Sequence, residues 1–163
     1  QVITGQGEMA QAAFAHFDEL FGCPAARDCL LDLEHLIEPC DLAGLDEPFS
    51  PEEIWNAIKL LPARKAPGPD RFTAEFVRAC WGITRQDFLN VFQQLFELRG
   101  RGFCKLNQAL LTLIPKCADA NELRDYRPIC LIHLVAKIFT RVISLRLAPR
   151  LGGLVSPNQN AFI

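Results

Sequence analysis

Three observations predict an α+β fold: helical apolar stripes up to residue 96, two short apolar runs at 108–115 and 126–132, and a return to helical spacing at 134–148. Residues 8–21 place Ala13, Phe14, Phe17, Leu20 and Phe21 on one helical face, and Gly22 and Pro24 end that helix. Residues 25–48 mix short apolar patches with acids, Pro39, Gly44 and Pro48; they read as a loose connector with room for one short helix at 28–37. At Ser50 the punctuation sharpens. Ser50 suits an N-cap, Pro51 the first helical position and Glu53 the reciprocal acceptor of a capping box. Ile54, Ile58 and Leu61 then mark one face of a helix over 51–61, and Pro62 closes it. Residues 62–71 (PARKAPGPDR) hold three prolines and a glycine, which excludes a helix or a central strand.

Thr73 is predicted to cap a helix bearing Phe76, Val77 and Cys80. Thr84 with Asp87 is predicted to start another, with Phe88, Val91, Phe92, Leu95 and Phe96 on its stripe, ended by Gly100 and Gly102. The runs at 108–115 (QALLTLIP) and 126–132 (YRPICLI) predict two antiparallel strands joined by a long mobile tip, KCADANELRD. In the final helix Leu134, Ile138, Val142 and Leu145 form one stripe, and Lys137, Arg141 and Ser144 form another. Pro149 and the Gly152-Gly153 pair are expected to finish it.

Composition bounds the function classes. The chain has 163 residues, half of them hydrophobic, which suits one domain of ordinary size and excludes disorder. No apolar run approaches the roughly 20 residues of a membrane span, and the N-terminus lacks the basic and apolar regions of a secretory signal. A nuclear or cytoplasmic protein without a membrane partner is expected. The first and last residues read as internal positions of a longer frame. Seven cysteines, none in a C-x-x-C pair, lack the close thiolate pairs of a zinc finger and read as reduced thiols. Charge is lopsided. Residues 1–50 carry ten acids and one base, residues 51–97 six of each, and residues 98–163 ten bases against Asp119, Glu122 and Asp125. A basic C-terminal part suits a polyanion partner, or is compensated by the acidic N-terminal part.

Four segments can carry chemistry. Lys65-Ala66-Pro67-Gly68-Pro69-Asp70 is a stiffened loop with Arg64 and Lys65 at its start, able to hold cations against a phosphate or simply to turn the chain. Leu113-Ile114-Pro115-Lys116 ends the first strand, and Asp125-Tyr126-Arg127-Pro128-Ile129 opens the second. A hairpin puts Lys116 and Arg127 on opposite sides of one tip, where a lysine point charge and an arginine fork suit a triphosphate; the same charges would also protect an edge hairpin from aggregation. Lys137 and Arg141 on one helical face can track a sugar-phosphate backbone, and Ser156-Pro157-Asn158-Gln159-Asn160-Ala161-Phe162 follows them.

KAPGPD, LTLIPK, DYRPI-x-LI, a helix with an early lysine and LVSPNQ-x-AF, in that order, resemble the reverse transcriptase domain of non-LTR (LINE-type) retrotransposons, plant elements above all. The resemblance implies an acidic linker and helical segment over 1–47, ahead of the N-terminal part of a right-hand polymerase over 48–163: fingers hairpin, following helix and an incomplete palm sheet. It implies that Lys116 and Arg127 hold the triphosphate of an incoming dNTP. It implies that Lys65, Lys137, Arg141, Gln159 and Phe162 lie against RNA template and DNA primer. The family uses two Mg²⁺ ions held by aspartates C-terminal to the NQ-x-AF block. The chain has no Asp-Asp pair, so alone it is expected to hold no Mg²⁺, to polymerise nothing and to have no catalytic residue of its own. Its partners would include the remaining palm, thumb and endonuclease regions of the parent polyprotein. Alternatives are a non-catalytic RNA-binding remnant and an inert pseudogene product. Two departures from the family pattern stand out: Arg71 where Gly is usual, and Cys130 where Ser is usual. If position 71 needs φ > 0, its side chain costs roughly 1 kcal/mol.

Overall fold

The computed structural model describes residues 2–22, 42–97 and 103–151. The elements are α1 (Gln6–Phe21), α2 (Pro51–Leu60), α3 (Ala74–Phe96), the short α4 (Phe103–Leu106), strands β1 (Ala109–Pro115) and β2 (Tyr126–Ile132), and α5 (Leu134–Leu151). Among the described residues, helices with one two-stranded antiparallel sheet make a mixed α and β architecture. None of the described helices is long and apolar enough to cross a membrane. The described residues fall into two compact units. One takes 2–22 and 113–129; the other takes 42–97, 103–112 and 130–151.

The second unit holds most of the core. Ile54, Ala57 and Ile58 of α2, Val77 and Phe92 of α3, and Leu134, Ile138 and Val142 of α5 are buried together. Apart from Ala57 these residues belong to the stripes expected from the spacing, whereas Phe76, expected on the face of Val77, is exposed; each buried Ile, Val, Leu or Phe contributes roughly 1.5–3 kcal/mol of hydrophobic stabilisation. Phe49 seals one end, edge-on to Phe92 at 5.4 Å and to Phe139 at 5.6 Å.

The start of α2 follows its sequence signature. Ser50 Oγ accepts from the Glu53 N–H at 3.2 Å, and Glu53 Oε2 accepts from the Ser50 N–H at 2.9 Å. Arg146 of α5 then closes on the same carboxylate. Its Nε donates to Glu53 Oε1 at 2.7 Å and its Nη2 to Oε2 at 2.8 Å. Further guanidinium N–H groups reach the carbonyls of Leu45, Glu47 and Pro48, and the guanidinium carbon lies 4.6 Å from the centre of the Phe49 ring. The Arg146 bond holds the Glu53 carboxyl at a pKa of about 2, below its ordinary 4.5.

Two expectations need correction. Thr84 does not start a new helix: α3 runs unbroken from Ala74 to Phe96. The Thr84 hydroxyl donates back to the Cys80 carbonyl at 3.2 Å, and Trp81 stacks on Trp55 of α2 at 5.1 Å. Packing of that segment against α2 outweighs the local cap signal. Pro149 does not finish α5, which continues to Leu151. Thr73, by contrast, caps as expected, accepting from the Phe76 N–H at 3.2 Å.

In the other unit, α1 buries Phe17 alone of its predicted stripe; Phe14, Leu20 and Phe21 are exposed. The tip between the strands, expected as a long loop, carries a 3₁₀ turn over Leu123–Asp125. Asp125 Oδ2 accepts from the Glu122 N–H at 3.1 Å, and the Tyr126 hydroxyl donates to the Ala120 carbonyl at 3.3 Å. The short helix allowed at 28–37, the glycine stops at 100, 102, 152 and 153, and the Gln159–Phe162 block lie outside the described residues.

Candidate nucleic-acid interface

The proline-rich loop exists to pack on the start of α5. Gly68 is buried, and a Cβ added there would fall on the carbonyl of Ile132. Only glycine lets the two backbones approach so closely. The Arg71 N–H donates to the Gly68 carbonyl at 3.0 Å, closing a turn with Pro69 and Asp70 at its centre. That turn aims the Asp70 carboxylate at the first turn of α5. Asp70 Oδ2 accepts from the Leu134 N–H at 2.5 Å and lies 3.6 Å from His133 Nδ1. A carboxylate suits this place because the first N–H groups of a helix lack intrahelical acceptors and carry partial positive charge. One turn on, Lys137 Nζ donates to the Ala66 carbonyl at 3.3 Å. The loop therefore grips α5 at both ends of its first turn.

Beside this junction is an open cleft of about 340 Å³ between the end of α2 and α5, lined by Leu60, Leu61, Pro62, Lys137, Thr140, Arg141 and Ser144. Lys137, Arg141 and Ser144 are the polar stripe expected from the spacing. Thr140 joins them, a residue that sequence reasoning missed although its position in the same turns was available. Two cations and two hydroxyls on one wall can bind phosphate and sugar oxygens. Both hydroxyls donate to their own helix, Thr140 to Ala136 and Ser144 to Thr140, which leaves their oxygens free to accept. Lys65 is exposed on the loop next to Ala66.

Lys116 and Arg127 belong to the other unit. The Lys116 N–H donates to the Asp125 carbonyl at 2.8 Å. Continued along the antiparallel pair, this register sets Ile114 opposite Arg127, on the face that Lys116 shares. Lys116 does not project freely: its Nζ donates to the Arg124 carbonyl at 2.5 Å. Arg127 is exposed. Leu113 and Tyr126 occupy the opposite face and, with Met9, Ala12, Ala13 and His16 of α1, line a cavity of about 920 Å³. The structure thus brings Lys137 and Arg141 together beside the Lys65 loop and sets Lys116 near Arg127. Gln159 and Phe162 lie outside the described residues.

The described residues make a mixed helix and hairpin chain with a cleft that Lys137 and Arg141 line. No protein-family model matches the chain. It is 33% identical over 116 residues to the transposon TX1 uncharacterized 149 kDa protein of Xenopus laevis. It is 30% identical over 128 residues to the retrovirus-related Pol polyprotein from the type-1 retrotransposable element R1 of Bradysia coprophila. These alignments cover 71% and 74% of the chain but only 9% and 13% of those proteins. The chain is a relative of retrotransposon proteins, and it spans a small part of their length.

Proposed function

We propose that the chain is part of a retrotransposon reverse transcriptase, the part that grips incoming nucleotide and template. The observation that carries this is that Lys137 ties the Lys65–Asp70 loop to α5 through the Ala66 carbonyl and, with Thr140, Arg141 and Ser144, lines the cleft beside it. In this reading Lys137 and Arg141 hold the template backbone, Lys65 approaches template or primer, and Arg127 with Lys116 engages the triphosphate of a dNTP. Kinship to a Pol polyprotein supports it. Among the described residues no group of three His, Cys, Asp or Glu side chains could hold a metal. No bond-making step is assigned to the described part. Metal binding and catalysis would belong to other regions of a longer polypeptide.

A salt titration of binding to labelled single-stranded RNA tests the reading. Each phosphate contact contributes roughly 0.7 to the slope of log K against log salt. Affinity is expected to fall steeply with salt. In Lys137→Ala/Arg141→Ala the slope is expected to shallow by about 1.4, two contacts' worth. Absence of binding at low salt, or an unchanged slope in the double variant, would remove the template role.

A further inference from the structure

We infer a base-stacking site on the outer side of the proline-rich loop, formed by Phe72 and Phe76 with Arg64, Lys65 and Arg71, for single-stranded nucleic acid. The inference rests on the polyanion reading above and adds to it a place where bases bind rather than phosphates. Phe72 and Phe76 lie nearly parallel, 13° apart with centroids at 5.3 Å, and are 48% and 47% exposed. Two phenyl rings already stacked in water present a flat π-face that a further planar ring can extend.

Three exposed cations, Arg64, Lys65 and Arg71, belong to the loop that leads into the pair. Arg71 precedes Phe72 in the chain, and Arg71 and Lys65 are exposed. The Arg64 N–H donates to the Glu75 carboxylate beside Phe76, which fixes the Arg64–Lys65 strand of the loop against the first turn of α3. Exposed aromatic faces interleaved with cations are the combination that holds single strands, the rings taking bases and the cations the backbone between them. Backbone strain sits at the same place. Among the described residues the non-glycine positions with positive φ are Arg64 at 55° and Arg71 at 60°. Both strained positions carry an exposed cation on this patch where glycine would fit without strain, as at sites where stability is given up for binding. An apolar protein partner would have no use for three exposed cations on this loop, which outnumber the one exposed carboxylate, Glu75, beside Phe76, so the charge favours nucleic acid as occupant.

The test is fluorescence anisotropy of the whole chain with a labelled oligouridylate and with an abasic strand of equal length and charge. The base-bearing strand is expected to bind on the order of tenfold more tightly. Phe72→Ala is expected to remove that difference, weakening the oligouridylate while leaving the abasic strand unchanged. Phe72→Tyr, which keeps a ring, is expected to restore it. Equal affinity for the two strands, with a steep salt slope retained, would overturn the stacking site and leave the phosphate cleft standing. A Phe72→Ala chain weakened equally for both strands would also overturn it. Absence of binding to either strand would overturn both readings.

Discussion

The carboxylate of Asp70 caps the helix that carries Lys137, across 64 residues of sequence: its Oδ2 accepts from the Leu134 N–H at 2.5 Å while its Oδ1 accepts from the Phe72 N–H at 3.3 Å. One side chain thus sets both the loop and the start of α5. Asp70→Ala should lower stability by about 1–2 kcal/mol, the usual cost of losing a helix cap. Asp70→Asn, which keeps an acceptor oxygen, should cost less than half of that. Chemical denaturation midpoints at constant slope would measure both, and equal effects of the two substitutions would contradict a capping role.

Arg71 offers a change in the opposite direction. At φ 60° its Cβ crowds the backbone, and glycine removes that crowding. Arg71→Gly should raise stability by about 0.5–1 kcal/mol, after the greater freedom of glycine in the unfolded chain is set against it. The same variant should bind single-stranded RNA more weakly, because a cation of the stacking patch is gone. A thermal shift upward together with weaker binding is the expected pair of results; unchanged or lower stability would show the left-handed conformation to be relaxed.

The Glu53–Arg146 pair predicts a pH dependence. The folded-state pKa of Glu53 is about 2, depressed from 4.5 chiefly by its hydrogen bond to Arg146. The folded state therefore favours the ionised form. The stabilisation is fully present above pH 4.5 and is lost as pH falls toward 2. Glu53 is about a third exposed, so solvent screening reduces the contribution to about 1–2 kcal/mol. Glu53→Gln should flatten the acid limb of the stability–pH curve by that amount. A wild-type curve with no fall between those values would contradict the assignment.

Much of this architecture could be read from the chain alone, and the exceptions share a cause. The capping box at Ser50, the cap at Thr73, the two strands and the buried stripe of α5 are local signals, written in residues a few positions apart. Arg146 gave no such signal. Its partner Glu53 is 93 residues away, and a lone arginine on a helix reads as solvated until that contact is known. Asp70 and Lys137 stand in motifs legible in the sequence, but their contacts to Leu134 and Ala66 depend on how the loop lies on α5. The break expected at Thr84 failed for the related reason that the Trp55–Trp81 stack is a tertiary contact. The helix α1 forms where the spacing places it, but of its stripe only Phe17 is buried: spacing shows which residues share a face, not whether anything covers it.

On the proposed function, nucleic acid lies along the Lys65 loop and the first turns of α5. Lysine acetylation read by mass spectrometry, with and without single-stranded RNA, tests it most directly. RNA is expected to protect Lys65 and Lys137 from modification while Lys105, exposed on α4, reacts at the same rate in both samples. Protection of Lys105 with Lys65 and Lys137 left reactive would place the nucleic acid elsewhere and contradict the account.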